Sequence, residues 1–184
     1  MSDITPLIPR QPVPSLELPL VGGGTWSLAD QKPENFTMIV FFRGLHCPIC
    51  SRYLADLHRK LDKFKALGVN VMVASSDDAE RAERAKTDWE LPELDLAYGI
   101  DLKKAREWGL YVSTSKGETS VGIMEPDMFI EPALYLIRPD GTLYFGTVQT
   151  MPFARPSFAE ILAAVGKVVE TGYPARGEVV SVAG

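Results

Sequence analysis

The chain has only two cysteines, and they fall together in the stretch Phe36–Leu57, FTMIVFFRGLHCPICSRYLADL. The stretch opens on a continuous apolar run, Met38-Ile39-Val40-Phe41-Phe42, which suits a strand buried on both faces of a sheet. The turn Arg43-Gly44-Leu45-His46 follows. Cys47-Pro48-Ile49-Cys50 then leads into an amphipathic helix. The cysteines therefore stand where a central strand hands over to a helix N-terminus.

That position has a chemical consequence. The first helical turn offers unpaired N–H groups and the positive end of the macrodipole, and both favour a thiolate over a thiol. The thiolate is the nucleophile, so a lowered pKa is expected for Cys47 at the N-cap. Pro48 fits the first helical position, where its missing N–H costs nothing. Cys50 lies one turn deeper on the same face, within reach of a disulfide with Cys47. An exposed attacking sulfur backed by a resolving one is the arrangement for thiol–disulfide exchange. His46 either lowers the thiol pKa further as imidazolium or shuttles a proton as a neutral ring, or it is a surface turn residue. Arg43 and Arg52 flank the pair and read first as solvated charges, with a role in holding a thiolate or anion as the alternative. A structural zinc site needs four ligands. The chain offers only the two cysteines, His46 and His58, and His58 sits too far along the helix to converge with them, so no metal or other cofactor is expected.

At 184 residues the chain suits one domain burying roughly 70% of its extended-chain surface. A net charge of -5 gives no reason to expect nucleic acid or an anionic membrane as partner. No apolar run reaches spanning length, and residues 1–11 lack the basic-then-apolar order of a signal peptide. A reducing cytosol is the expected location, and there a C-x-x-C is more often catalytic than structural.

Pro6, Pro9, Pro12 and Pro14 mark residues 1–13 as an extended lead-in to a domain over 14–171. Leu16–Leu20 and Thr25–Leu28 flank Gly22-Gly23-Gly24 and predict a β-hairpin. The glycines lack the lysine-serine of a phosphate loop. After the strand over Asn35–Phe42, apolar residues Cys50, Leu54, Leu57, Leu61 and Phe64 predict one continuous helix closed by Gly68. Val69–Ala74 is a second buried strand. Ser75 or Ser76 is expected to cap the next helix, with Asp77, Asp78 and Glu80 in its first turn. A short strand over Leu94–Tyr98 and a helix over Leu102–Trp108 come next. Ser113–Asp127 shows no periodicity and reads as a loop or lid. Ala133–Ile137 and Thr142–Val148 pair across Arg138-Pro139-Asp140-Gly141. A last helix starts at Ser157, with Ile161, Leu162, Val165, Val168 and Val169 inward, and residues 172–184 form a loosely held tail. Trp26, Trp89 and Trp108 read as core or rim aromatics.

The segment Phe42–Cys50 resembles the thioredoxin active site, a strand-ending aromatic, four residues, then C-x-x-C. From Pro14 to Val169 the element order resembles the peroxiredoxin-like branch of that superfamily, the alkyl hydroperoxide reductase/thiol-specific antioxidant group. The resemblance implies an α/β, thioredoxin-like fold, with a central mixed sheet flanked by helices and an N-terminal hairpin added. It also implies a cis proline at Pro132, with Glu131 offering backbone groups to a bound chain or small thiol; a trans proline at a strand edge is the alternative. The implied activity is that of a thiol oxidoreductase and antioxidant protein. It would cycle a Cys47–Cys50 dithiol against hydroperoxides or disulfides and be re-reduced by a thioredoxin or glutathione system. The site departs from the family's P-x-x-x-T-x-x-C pattern. Set on Cys50, the pattern puts Cys47 in the threonine place and Arg43 in the proline place; set on Cys47, it meets Gly44 and Val40. The family's later arginine is replaced by Pro132 before the following strand. A non-enzymatic redox sensor, whose disulfide switches a partner interaction, is the competing function.

Overall fold

In the computed structural model, which describes residues 4–182, the apolar run becomes the middle of a five-stranded sheet. Two short strands come first, β1 (Glu17–Pro19) and β2 (Thr25–Ser27), paired as an antiparallel hairpin over the glycine turn. Then follow β3 (Phe36–Phe41), α1 (Pro48–His58), α2 (Leu61–Ala66), β4 (Val69–Ala74), α3 (Ala79–Asp88), β5 (Asp95–Ala97) and α4 (Leu102–Glu107). The second half holds β6 (Val112–Thr114), β7 (Met128–Ile130), β8 (Ala133–Ile137), β9 (Leu143–Val148) and α5 (Phe158–Thr171). The main sheet runs β5-β4-β3-β8-β9. β3 is parallel to β4 and antiparallel to β8, so the mixed sheet and the added hairpin are as expected.

Every residue of β3 is buried, because both faces of the sheet are covered. Strand alternation sends Met38, Val40 and Phe42 to one side, against Leu54, Leu57, Phe64, Phe158 and Val165 of the helices. Ile39 and Phe41 go to the other side, against Trp108, Tyr135 and the hairpin residues Leu18 and Trp26. Burying an apolar side chain of this size stabilises by about 1.5–3 kcal/mol relative to exposure.

The structure corrects several sequence expectations. The long helix is broken: α1 ends at His58, the Lys60 N–H bonds Leu57 C=O, and α2 begins at Leu61. Apolar spacing continues across the break, so periodicity alone reads through it. The cap of α3 is Asp78, which accepts the Arg81 N–H at 2.9 Å. Ser75 and Ser76 instead accept the Asp77 and Ile130 N–H groups. The segment read as a loop over 113–127 is bracketed by β6 and β7, which pair antiparallel. Val169 faces outward, and Phe158 joins the inward face of α5. The C-terminal stretch is tied down as far as Glu178: Arg10 donates two bonds to Ala175 C=O and pairs with Glu178, and Ala175 is buried.

Candidate functional site

Cys47 is the N-cap of α1, with φ -101° and ψ 104°, and Pro48 opens the helix as the sequence predicts. The N–H groups of Cys50 and Ser51 turn back to Cys47 C=O at 3.0 and 3.3 Å. Both cysteines are free thiols. The attacking sulfur expected to be exposed is not: Cys47 is 1% and Cys50 0% accessible. The pair is nonetheless strongly polarised. The Cys47 pKa is lowered to about 5, chiefly by the hydrogen bond from the Cys50 thiol, with further help from the Cys50 N–H, Arg155 and Arg43, against an opposing effect of burial. The Cys50 thiol is pushed well up by burial and by the bond and charge of Cys47. One sulfur is a thiolate at neutral pH, and the other keeps its proton.

A residue that the sequence did not flag completes the pair. Arg155, between β9 and α5, places Nη2 at 3.2 Å from Cys50 Sγ and 3.7 Å from Cys47 Sγ. Its Nε donates to Pro152 C=O at 2.9 Å, and its guanidinium lies 5.1 Å from the Tyr53 ring centroid. Tyr53 in turn donates its hydroxyl to Pro156 C=O at 2.7 Å and stacks on Phe158 with centroids 4.2 Å apart. The buried Nη1 of Arg155 has no hydrogen-bond partner among the described residues. The flanking Pro152 and Pro156 signal only an irregular segment, so nothing local in the sequence points Arg155 at the cysteines.

His46 is fully buried, and its pKa is lowered to about 3 by burial first and then by Arg43 and Arg81. The imidazolium reading and the surface-turn reading both fall; the ring is neutral at physiological pH. Its Nδ1 lies 3.4 Å from Arg81 Nη2, and its ring centroid is 4.5 Å from that of Phe129. Arg43 is not a solvated charge either. It reaches Glu131 at 3.3 Å and Glu125 at 3.5 Å, and lies 4.7 Å from the Phe129 centroid. Arg52 is exposed and takes no part.

The peptide bond before Pro132 is trans, which overturns the cis expectation. The backbone beside it is already engaged: Glu131 N–H donates to Tyr111 C=O at 2.8 Å, and Pro132 C=O accepts the Gln149 N–H at 2.9 Å. The Glu131 carboxylate accepts the Ser113 hydroxyl at 2.6 Å in addition to facing Arg43. The Glu131 N–H, expected to face a bound chain or small thiol, and the Pro132 C=O are thus both taken by partners within the chain. Trp26 and Trp108 are core residues, and Trp89 packs at the rim against Phe42. Among the described residues no cluster of His, Cys, Asp and Glu side chains could hold a metal.

Among curated proteins no sequence matches the chain significantly. Solved structures match its fold over nearly its whole length. The peroxidoxin BcpB of Mycobacterium tuberculosis superposes with a TM-score of 0.68 at 14% identity, over 88% of this chain and 98% of its own. The reduced 2-Cys peroxiredoxin of Plasmodium vivax gives 0.71 at 15% identity, over 96% and 92%. The reduced Prx3 of Vibrio vulnificus, in complex with hydrogen peroxide, gives 0.67 at 16% identity, over 86% and 99%. The AhpC/TSA family model matches residues 9–145, a span that holds the sheet through the start of β9 together with both cysteines, and so the chain belongs to the AhpC/TSA family.

Proposed function

We propose that the protein is a thiol peroxidase that reduces small hydroperoxides through Cys47 and regenerates through a Cys47–Cys50 disulfide. One observation carries the reading: a buried low-pKa sulfur stands beside an arginine whose Nη1 donor has no partner among the described residues. A buried donor left unpaired costs about 1–3 kcal/mol. A peroxide oxygen at that point would accept from Nη1 while its other oxygen meets Cys47. Membership in the AhpC/TSA family and the likeness to a peroxiredoxin bound to hydrogen peroxide support the same chemistry.

In the first step the Cys47 thiolate attacks one peroxide oxygen and the O–O bond breaks. Cys47 becomes a sulfenic acid, and the alkoxide or hydroxide leaves with one proton as alcohol or water. Arg155 stabilises the negative charge that develops on the leaving oxygen. In the second step the Cys50 sulfur, giving up its proton, attacks the Cys47 sulfur and displaces hydroxide, which departs as water. A dithiol of the thioredoxin type, or glutathione, then reduces the disulfide by exchange in a reducing compartment such as the cytosol.

The test is stopped-flow tryptophan fluorescence of the reduced protein mixed with hydrogen peroxide or an organic hydroperoxide. Oxidation about 10²-fold or more above a free thiolate at matched ionisation is expected, the range one preorganised donor supplies. A rate equal to that of a free thiolate would overturn the peroxidase reading and return the chemistry to disulfide exchange.

A further inference from the structure

The turn that presents Cys47 is held from below by a carboxylate with no assigned role. Gly44 adopts φ +132°, and a Cβ built on it would lie 2.6 Å from Asp77 Oδ1 and 2.7 Å from Oδ2. Asp77 Oδ2 accepts the Leu45 N–H at 2.7 Å. Oδ1 pairs with Arg81 Nε at 3.0 Å, and the same guanidinium reaches His46 Nδ1 at 3.4 Å. The Asp77 side chain is fully buried, and its backbone is fixed on both sides, its N–H to the Ser75 hydroxyl and its C=O to the Gly99 N–H. One buried side chain thus grips Gly44 and Leu45 directly and His46 through Arg81.

We propose that Asp77 is a positioning residue for the Cys47 sulfur: by filling the space over Gly44 and taking the Leu45 N–H, it fixes the 44–47 turn so that Cys47 caps α1 with its sulfur toward Cys50 and Arg155. The turn then has one conformation. The Cys47 N–H bonds Gly44 C=O at 3.1 Å, so a swing of Gly44–Leu45 moves Cys47 with it and lengthens the contacts that hold the thiolate. The inference rests on Cys47 being the reactive sulfur, and its readout does not require peroxidase activity.

Charge alone and positioning predict opposite signs. A nearby carboxylate disfavours a thiolate, so removing its charge without moving the turn would lower the Cys47 titration midpoint. Loosening the turn raises it. Iodoacetamide alkylation of the reduced protein, followed against pH, reads the midpoint in wild type, Asp77→Asn and Gly44→Ala. The last changes no charge but drives a methyl into the carboxylate. A rise of about one pH unit in both variants, roughly a fivefold loss of thiolate at the wild-type midpoint, is expected. An unchanged or lowered midpoint in folded Asp77→Asn overturns the proposal. Hydrogen exchange in the wild type serves where a variant does not fold: a Leu45 amide exchanging at the rate of an exposed amide overturns it as well. Slow peroxide oxidation in the wild type with a shifted midpoint in the variants would remove the peroxidase reading and leave the positioning role standing.

Discussion

Arg155 Nη2 stands half an ångström nearer to Cys50 Sγ than to Cys47 Sγ, at 3.2 against 3.7 Å, although Cys47 is the sulfur that ionises. The guanidinium thus touches both sulfurs at once. Its influence on each follows its charge: it pulls the titration of Cys47 down and opposes the rise at Cys50.

Replacing Arg155 by methionine removes that cation while keeping bulk. The rate of Cys47 oxidation by hydrogen peroxide is expected to fall about 10²- to 10³-fold, the usual loss of one oxyanion donor, and the thiolate midpoint is expected to rise. Arg155→Lys restores little of the rate, because an ammonium lacks the fork that meets two sulfurs and a leaving oxygen together. Stopped-flow oxidation of the three proteins checks both statements, and a lysine variant with full activity would refute the second.

The cysteines are distinguished by what each serine variant accumulates. Cys47→Ser is expected to abolish turnover. Cys50→Ser stops after one event, with Cys47 holding one added oxygen or a mixed disulfide, visible by intact mass. Because the Cys50 thiol is the largest contributor to the lowered Cys47 pKa, the Cys50→Ser midpoint also departs from about 5. Full activity of Cys47→Ser would mean that the deeper sulfur is the nucleophile.

Peroxide consumption at limiting substrate is expected to rise through about pH 5 and to stay flat from there to neutrality. A profile still rising through the ordinary thiol range, about pH 8.5, contradicts the lowered Cys47 pKa. The profile is best read at short times, before acid unfolding intervenes.

Acid sensitivity follows from His46. Its folded pKa is depressed to about 3 against an unfolded value near 6.5, so the unfolded chain binds the extra proton and stability falls as pH drops below about 6.5. The slope approaches about 1.4 kcal/mol per pH unit for one proton. Asp77, whose pKa is raised by burial, acts in the opposite sense nearer the carboxylate range. Urea unfolding of wild type and His46→Asn at pH 7 and pH 5 measures the difference. Equal losses in the two proteins would show that His46 titrates normally.

The Arg43 cluster makes a stability prediction. Glu131→Gln leaves Arg43 with Glu125 as its remaining carboxylate among the described residues and loses a charged acceptor for the Ser113 hydroxyl. A cost of about 2 kcal/mol is expected, below that of breaking an isolated buried pair because one partner remains. Chemical denaturation at constant pH reads it directly.

The segments whose meaning is local were legible in the sequence. Val69–Ala74 reads as a strand because its β-branched run has no helical period, and the structure gives the same bounds. Pro48 opens α1 at the place its missing N–H allows. Residues that act by meeting others across the fold were not legible. Arg155 is 105 positions from Cys50 in the chain, and no spacing rule joins them. Asp77 reads as one more acid at a helix start until Gly44 is seen against it. Pro132 shows the limit of arguing from a resemblance, since its place before β8 matches and its peptide bond does not.

The N-terminal segment has a consequence beyond leading into the domain. The outer strands of the five-stranded sheet, β5 and β9, are each met by part of it: Leu20 bridges Ala97, and Pro12 bridges Thr142 beside the start of β9. Bonds from Val21 N–H to Leu96 C=O and from Leu143 N–H to Gln11 C=O extend the two contacts. Open strand rows are where protein molecules add to one another and grow into aggregates. The proline on the β9 side has no N–H to pass the ladder on. The same residues that complete the fold thus cover part of β5 and the first residue of β9 against pairing with a neighbouring copy.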